Sequence, residues 1–181
     1  PHAPVPLSTP TPSPKHSSHH ALGRYRKAAL ASLALLPAGA CAIEIGCHVG
    51  ETTVLIDTAL AERAGGRCVG IDVSRAIVDR AKARHPQVLF DVADAWDPMS
   101  LLASLERCGC GTGTKPALLL IDVGGLSGSS GTLDALALVR VLCAVFQPTL
   151  QAVVIKSACM RTLARSLSCL LYTSPSPRDS D

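Results

Sequence analysis

Aromatic residues are scarce: two Phe, two Tyr and one Trp in 181 residues. With 48% hydrophobic residues the chain is globular, long enough for one domain with a sizeable core, and that core has to be aliphatic. Acids are missing from positions 1–43, which carry Lys15, Arg24, Arg26 and Lys27, whereas positions 44–168 hold twelve acids and twelve bases. So balanced a body offers no large basic footprint for nucleic acid. No apolar run is long enough to cross a bilayer: the longest candidate, 28–36, is short and Pro37 ends it. Zinc-ligand spacing is also lacking, because Cys108-Gly-Cys110 is C-x-C and no second Cys or His pair accompanies it, so no metal is expected. Eight cysteines are too few for a secreted disulfide scaffold of this length, and Cys41, Cys68 and Cys143 lie in apolar runs as small core side chains. That usage fits a reducing, intracellular compartment, cytoplasmic or organellar.

The chain does not begin with Met, and positions 1–20, rich in Pro, Ser, Thr and His, read as a disordered arm. Their lack of acids and abundance of Ser also fit the end of an organelle transit peptide. From position 21 helical and extended patterns alternate, the mark of an α/β protein built on a doubly wound, mostly parallel sheet with helices on both faces. Helices are expected over 21–36, 51–64, from Ser74 as cap to 84, from Asp97 with Pro98 to about 107, and over 132–146. Strands are expected over 41–45, 67–71, 87–90, 117–121 and 150–155.

Positions 42–56 place an acid and two glycines where an apolar strand gives way to a helix. Glu44, Gly46 and Gly50 spell E-x-G-x-x-x-G, and a turn without Cβ atoms lets a ligand reach the free N–H groups of the helix start. In doubly wound sheets ligands bind outside the carboxyl ends of the strands. Glu44, Asp72, Asp94, Asp122 and Lys156 all fall at those ends. Each has a plainer explanation: Glu44 as a complement to a helix N-terminus, Asp72 and Ser74 as turn and cap, Lys156 as a solvated strand end. His48 reads as a loop residue, and Trp96 either borders the ligand or simply packs, the second being the plainer reading. A nicotinamide dinucleotide fingerprint would need glycines at 48 and 51, where His48 and Glu51 stand.

Positions 169–179, Cys-Leu-Leu-Tyr-Thr-Ser-Pro-Ser-Pro-Arg-Asp, break the pattern and resemble the translation of a transposase sequencing adapter. The native sequence is therefore expected to stop near Ser168, with 169–181 a foreign tail. The domain of 21–168 is then incomplete, lacking its last strands, and its apolar fifth strand, left without a neighbour, favours aggregation and poor solubility.

The motifs of 21–165 resemble class I S-adenosylmethionine-dependent methyltransferases. The first family motif appears as Glu44-Ile-Gly46-Cys47-His-Val-Gly50 followed by Glu51-Thr52-Thr53. The resemblance implies a Rossmann-like fold, S-adenosyl-L-methionine as cofactor, and methyl transfer as activity. Cofactor-binding positions implied by it are Glu44, Gly46, Cys47, Gly50, Thr52, Asp72 with Val73, Asp94 with Ala95, and Asp122. Asp72 would accept from both ribose hydroxyls, Asp94 from the adenine amino group, with Asp91 and Asp97 as rival acids. Asp122 and Lys156 are the catalytic candidates beside the methyl group. The acceptor is left open among small molecule, protein and RNA, as is the oligomeric state. A narrower resemblance, to ribose 2′-O RNA methyltransferases, would add Lys27 to Asp122 and Lys156, although Asp122-Val-Gly-Gly departs from that family's motif. A catalytically inactive, methyltransferase-like interaction domain is the non-enzymatic alternative.

Overall fold

The structure is a computed structural model, and it describes residues 17–63, 65–110, 116–124 and 131–170. Positions 1–16, 64, 111–115, 125–130 and 171–181 lie outside the described residues. Five strands, β1 (Cys41–Ile45), β2 (Arg67–Asp72), β3 (Leu89–Val92), β4 (Leu118–Ile121) and β5 (Ala152–Ile155), form one sheet in the order β3-β2-β1-β4-β5. Every pairing is parallel. Among the described residues six α-helices connect and flank them: α1 (Ser17–Ser32), α2 (Glu51–Glu62), α3 (Arg75–Arg84), α4 (Pro98–Arg107), α5 (Gly131–Phe146) and α6 (Ala158–Leu170). The doubly wound α/β architecture expected from the alternation is thus the observed one, with an all-parallel sheet.

Alternation along the strands sorts the core into two layers. Cys41, Ile43 and Ile45 of β1 face one side with Leu101 and Leu105 of α4 and Leu138, Leu142 and Phe146 of α5. Ala42 faces the other side, with Tyr25 and Ala29 of α1 and Ile56 and Leu60 of α2. Val78 and Ala81 of α3 pack on Phe90 in that second layer. The core is aliphatic as composition demands; Phe146 is its one fully buried aromatic ring among the largest buried side chains. Each such side chain contributes roughly 1.5–3 kcal/mol by leaving water.

Several element boundaries differ from expectation by one or two residues, and those of α1 and β3 differ at both ends. α1 begins at Ser17 and ends at Ser32, followed by a short 3-10 turn at Leu33–Leu35, so its start overlaps the expected arm. β3 lies two residues later than expected because Asp91 and Val92 belong to the strand; the Arg107 guanidinium, 2.7 Å from Asp91, makes the carboxylate tolerable there. α6 follows β5 and runs from Ala158 to Leu170. Asp97 caps α4 as read, accepting from the N–H groups of Met99 (3.0 Å) and Ser100 (3.2 Å). Ser74 occupies the cap position of α3 but makes no side-chain capping bond. Among the described residues no helix is long and apolar enough to cross a membrane.

Candidate functional site

The ladder of backbone hydrogen bonds runs on past the strand ends and fixes where each polar residue emerges. Gly46 and Cys47 donate to the Ile71 carbonyl (2.8 and 3.0 Å), Ala93 to that of Asp72 (3.2 Å), Asp122 to that of Ile45 (2.8 Å) and Lys156 to that of Ile121 (2.8 Å). At this carboxyl edge opens a cavity of about 390 Å³, a size usual for small-molecule sites. Gly46, Asp72, Val73, Asp94, Ala95 and Asp122, all named from the sequence, line it.

Gly46 has a φ of +80°, and a Cβ there would collide with the backbone carbonyl of Asp122. The turn after β1 can therefore lie against the end of β4 only because that residue is glycine. His48, in the left-handed region with φ 51°, turns its N–H onto Asp72 Oδ2 at 3.2 Å. Asp72 Oδ1 accepts from the Ser74 N–H at 3.0 Å, so it is the aspartate that organises the start of α3. Two backbone donors use one lone pair on each oxygen, which leaves acceptor capacity facing the cavity. Asp94 folds back on its own turn, its Oδ1 accepting from the Trp96 N–H at 2.9 Å, and keeps its second oxygen unengaged by the described residues. Asp91 is tied to Arg107 and Asp97 to its helix, so Asp94 is the acid that reaches the cavity.

Other sequence-named residues lie behind this wall. Glu44 points into the α1/α2 layer and is 2% exposed. Its Oε2 accepts from Thr53 Oγ1 at 2.5 Å, and its Oε1 lies 3.4 Å from the Tyr25 hydroxyl. Burial raises the Glu44 pKa to about 7 against the opposing hydrogen bond from Thr53, with Asp122 adding to the rise. The Tyr25 phenol is pushed well above its ordinary value, by burial first and then by Glu44, and remains a donor. Cys47 is buried with Phe90 and Val78. Gly50, φ +85°, starts α2 against the Phe90 ring, where a Cβ would clash. Thr52 is buried and accepts from Arg26 Nε at 3.3 Å. None of these four residues, Glu44, Cys47, Gly50 and Thr52, lines the cavity.

Trp96, whose plainer reading is packing, is instead 49% exposed and lines the cavity, as do His48, Val123 and Gly124. The signal for the last two was present in the Asp122-Val-Gly-Gly run at a strand end. Lys156 lies in the wall of a second, neighbouring cavity that shares Asp122, Val123 and Gly124 with the first; its Nζ is 2.6 Å from Asp122 Oδ2. Lys27 is exposed and lines neither cavity, so it is not brought together with Asp122 and Lys156; Arg24, one turn earlier on α1, faces the second cavity instead. Cys108 and Cys110 pack against the α4/α5 layer, and no group of His, Cys, Asp and Glu among the described residues is placed to hold a metal.

No protein-family model matches the chain. A segment of 59 residues is 39% identical to trans-aconitate 2-methyltransferase of Methylobacterium radiotolerans, covering 32% of this chain and 22% of that protein. The chain thus matches only about a fifth of that relative's length. Among solved structures, the plantazolicin methyltransferase BpumL, in complex with a pentazolic desmethylPZN analog and SAH, superposes with a TM-score of 0.51 at 16% identity over 90% of this chain and 55% of that one. A TehB-like SAM-dependent methyltransferase from Corynebacterium glutamicum gives a TM-score of 0.41 at 24% identity, over 79% and 73% of the two chains.

Proposed function

We propose that this chain, which has the Rossmann-like fold of S-adenosylmethionine-dependent methyltransferases, binds S-adenosylmethionine in the first cavity and belongs to an enzyme that transfers its methyl group. One observation carries the reading: Asp72, Asp94 and Asp122, from three different strand ends, line one cavity, and among the described residues of its wall there is no Lys or Arg; Asp72 and Asp94 also lack an ion pair to a described residue, whereas Asp122 is paired with Lys156 from the neighbouring cavity. An acidic wall suits a cationic sulfonium and would repel a diphosphate, which disfavours a dinucleotide in the same place. The donor set fits the cofactor. Asp72 retains acceptor capacity for two hydroxyl donors, Asp94 for one amino donor, and the half-exposed face of Trp96 borders the same space. The match to a segment of trans-aconitate 2-methyltransferase supports the same activity.

When bound, the cofactor supplies an already activated methyl group, whose carbon passes to an acceptor atom as its bond to sulfur breaks and the electron pair stays on sulfur. The work left to the protein is alignment and, where the acceptor must lose a proton, a base. Gly46 and the Asp122 backbone form the narrow part of the wall, and Asp122 lies between the two cavities with Lys156 holding its carboxylate. Placement favours Asp122 and Lys156 as the groups beside the reacting atoms. Lys27, exposed away from them, gives the ribose 2′-O reading no support.

Calorimetric titration of the chain with S-adenosylmethionine and S-adenosylhomocysteine tests this. Binding of both, weakened about tenfold or more in Asp72→Ala by loss of charge-assisted hydrogen bonds, is the expected result. A folded chain that binds neither would overturn the reading in favour of an interaction domain.

A further inference from the structure

The second cavity, of about 510 Å³, differs from the first in charge. Arg24 of α1, Lys156 after β5 and Arg161 in the first turn of α6 contribute to its wall, against a single acid, Asp122. Lys156 and Asp122 neutralise each other across 2.6 Å. That leaves two guanidinium groups from two different helices, neither with a side-chain hydrogen bond or ion pair to a described residue. α6 also begins here: Ser157 Oγ accepts from the Met160 N–H at 3.2 Å, and the free N–H groups of the helix start add partial positive charge on the same side. Val154, Ile155 and Ala28 add an apolar part to the wall, and Tyr25 also borders it.

From this we infer that the second cavity is the acceptor site and that the acceptor is a small molecule bearing an oxyanion, carboxylate or phosphate, held by Arg24 and Arg161. The assignment of an acceptor rests on the methyltransferase reading; the anion site does not. Guanidinium forks match planar and tetrahedral oxyanions through paired hydrogen bonds. The shared Asp122, Val123 and Gly124 bring an anchored molecule alongside the first cavity. A small molecule is favoured over RNA because the two unpaired guanidinium groups sit in a concave wall, while the chain from 44 to 168 balances twelve acids with twelve bases and so offers no extended basic track.

The test is titration of the wild-type chain with citrate, inorganic phosphate and a short single-stranded RNA, each with and without S-adenosylhomocysteine, alongside Arg24→Gln and Arg161→Gln. Both arginines are exposed, so the variants are expected to fold, which thermal melting verifies. Binding of citrate or phosphate, weakened about tenfold in each variant while S-adenosylhomocysteine affinity is unchanged, supports the site; the tighter of the two names the oxyanion. Absence of binding by either anion, or equal binding by the variants, overturns it. RNA that binds more tightly than both anions with a steep salt dependence overturns the small-molecule assignment. Anion binding without any S-adenosylhomocysteine binding would leave the anion site standing and remove the methyltransferase reading.

Discussion

Lys156 Nζ lies 2.6 Å from Asp122 Oδ2, joining the carboxyl ends of β5 and β4 at the boundary between the two cavities. Both side chains are partly exposed, 30% and 25%, so solvent screening limits the pair to about 1 kcal/mol of stability. Its expected importance is positional. Lys156→Met and Asp122→Asn should each shift the unfolding midpoint little, yet slow methyl transfer by about tenfold or more. A double-mutant cycle on rate checks this: independent, additive losses would show that the contact does not act as a unit.

Gly46 and Gly109 both have positive φ, +80° and +71°, but differ in surroundings. A Cβ at Gly109 meets no atom of the described residues within 4 Å, whereas one at Gly46 meets the Asp122 backbone. Gly109→Ala should cost about 1 kcal/mol of backbone strain and leave cofactor affinity intact. Gly46→Ala should cost more, on the order of 3 kcal/mol, and abolish cofactor binding by prising the turn from β4. Denaturant unfolding combined with calorimetry separates the two; equal stabilities would refute the close approach.

Glu44 carries the pH dependence. Its pKa rises from the ordinary 4.5 to about 7 through burial, with Thr53, Tyr25, Arg26 and Asp122 facing it. The folded state holds the proton where the unfolded state has released it, so stability falls as pH rises from 4.5 towards about 7. The full shift corresponds to on the order of 3 kcal/mol. Thermal melts should show a fall in midpoint across this window that Glu44→Gln removes. A wild-type midpoint that climbs, or an identical fall in the variant, would sink the assignment.

Asp57 is 8% exposed and its Oδ1 accepts from the backbone N–H of Cys68 at 2.7 Å and from Arg67 Nε at 3.1 Å. Asp57→Ala orphans a buried N–H and should cost about 1–3 kcal/mol. Arg67→Ala removes only a 45%-exposed partner and should cost less than about 1 kcal/mol. Urea unfolding of the two variants measures the difference; a larger loss in Arg67→Ala would contradict it.

The alternation of five strands with helices and the convergence of Asp72, Asp94 and Asp122 at strand ends were legible because buried parallel strands are short apolar runs that end in a polar residue; the order of the strands in the sheet was not. Phase and direction were less so. Asp91 looked like a loop residue because its partner, Arg107, lies sixteen positions away on another element. Arg24 rather than Lys27 faces the second cavity because Tyr25 and Ala29 set the rotation of α1 on the sheet, which local sequence does not specify. Glu44 belongs to the right strand end, but the alternation that buries Ala42 turns it to the α1/α2 side. Of the two readings open for Trp96, sequence could not choose for the same reason: whether an indole packs inward depends on the Asp94 turn that presents it.

The two rims of the sheet are chemically unequal. β3 carries Asp91 bound to Arg107, and Arg67 Nη2 donates to the Gln87 carbonyl at 3.1 Å just before the strand, so charged side chains guard that margin. β5 reads Ala-Val-Val-Ile, with its first charge only at Lys156. Among the described residues, addition of a further strand is therefore one-sided, open at β5 and discouraged at β3. Self-association of this chain should terminate at pairs joined β5 to β5 rather than propagate into fibres.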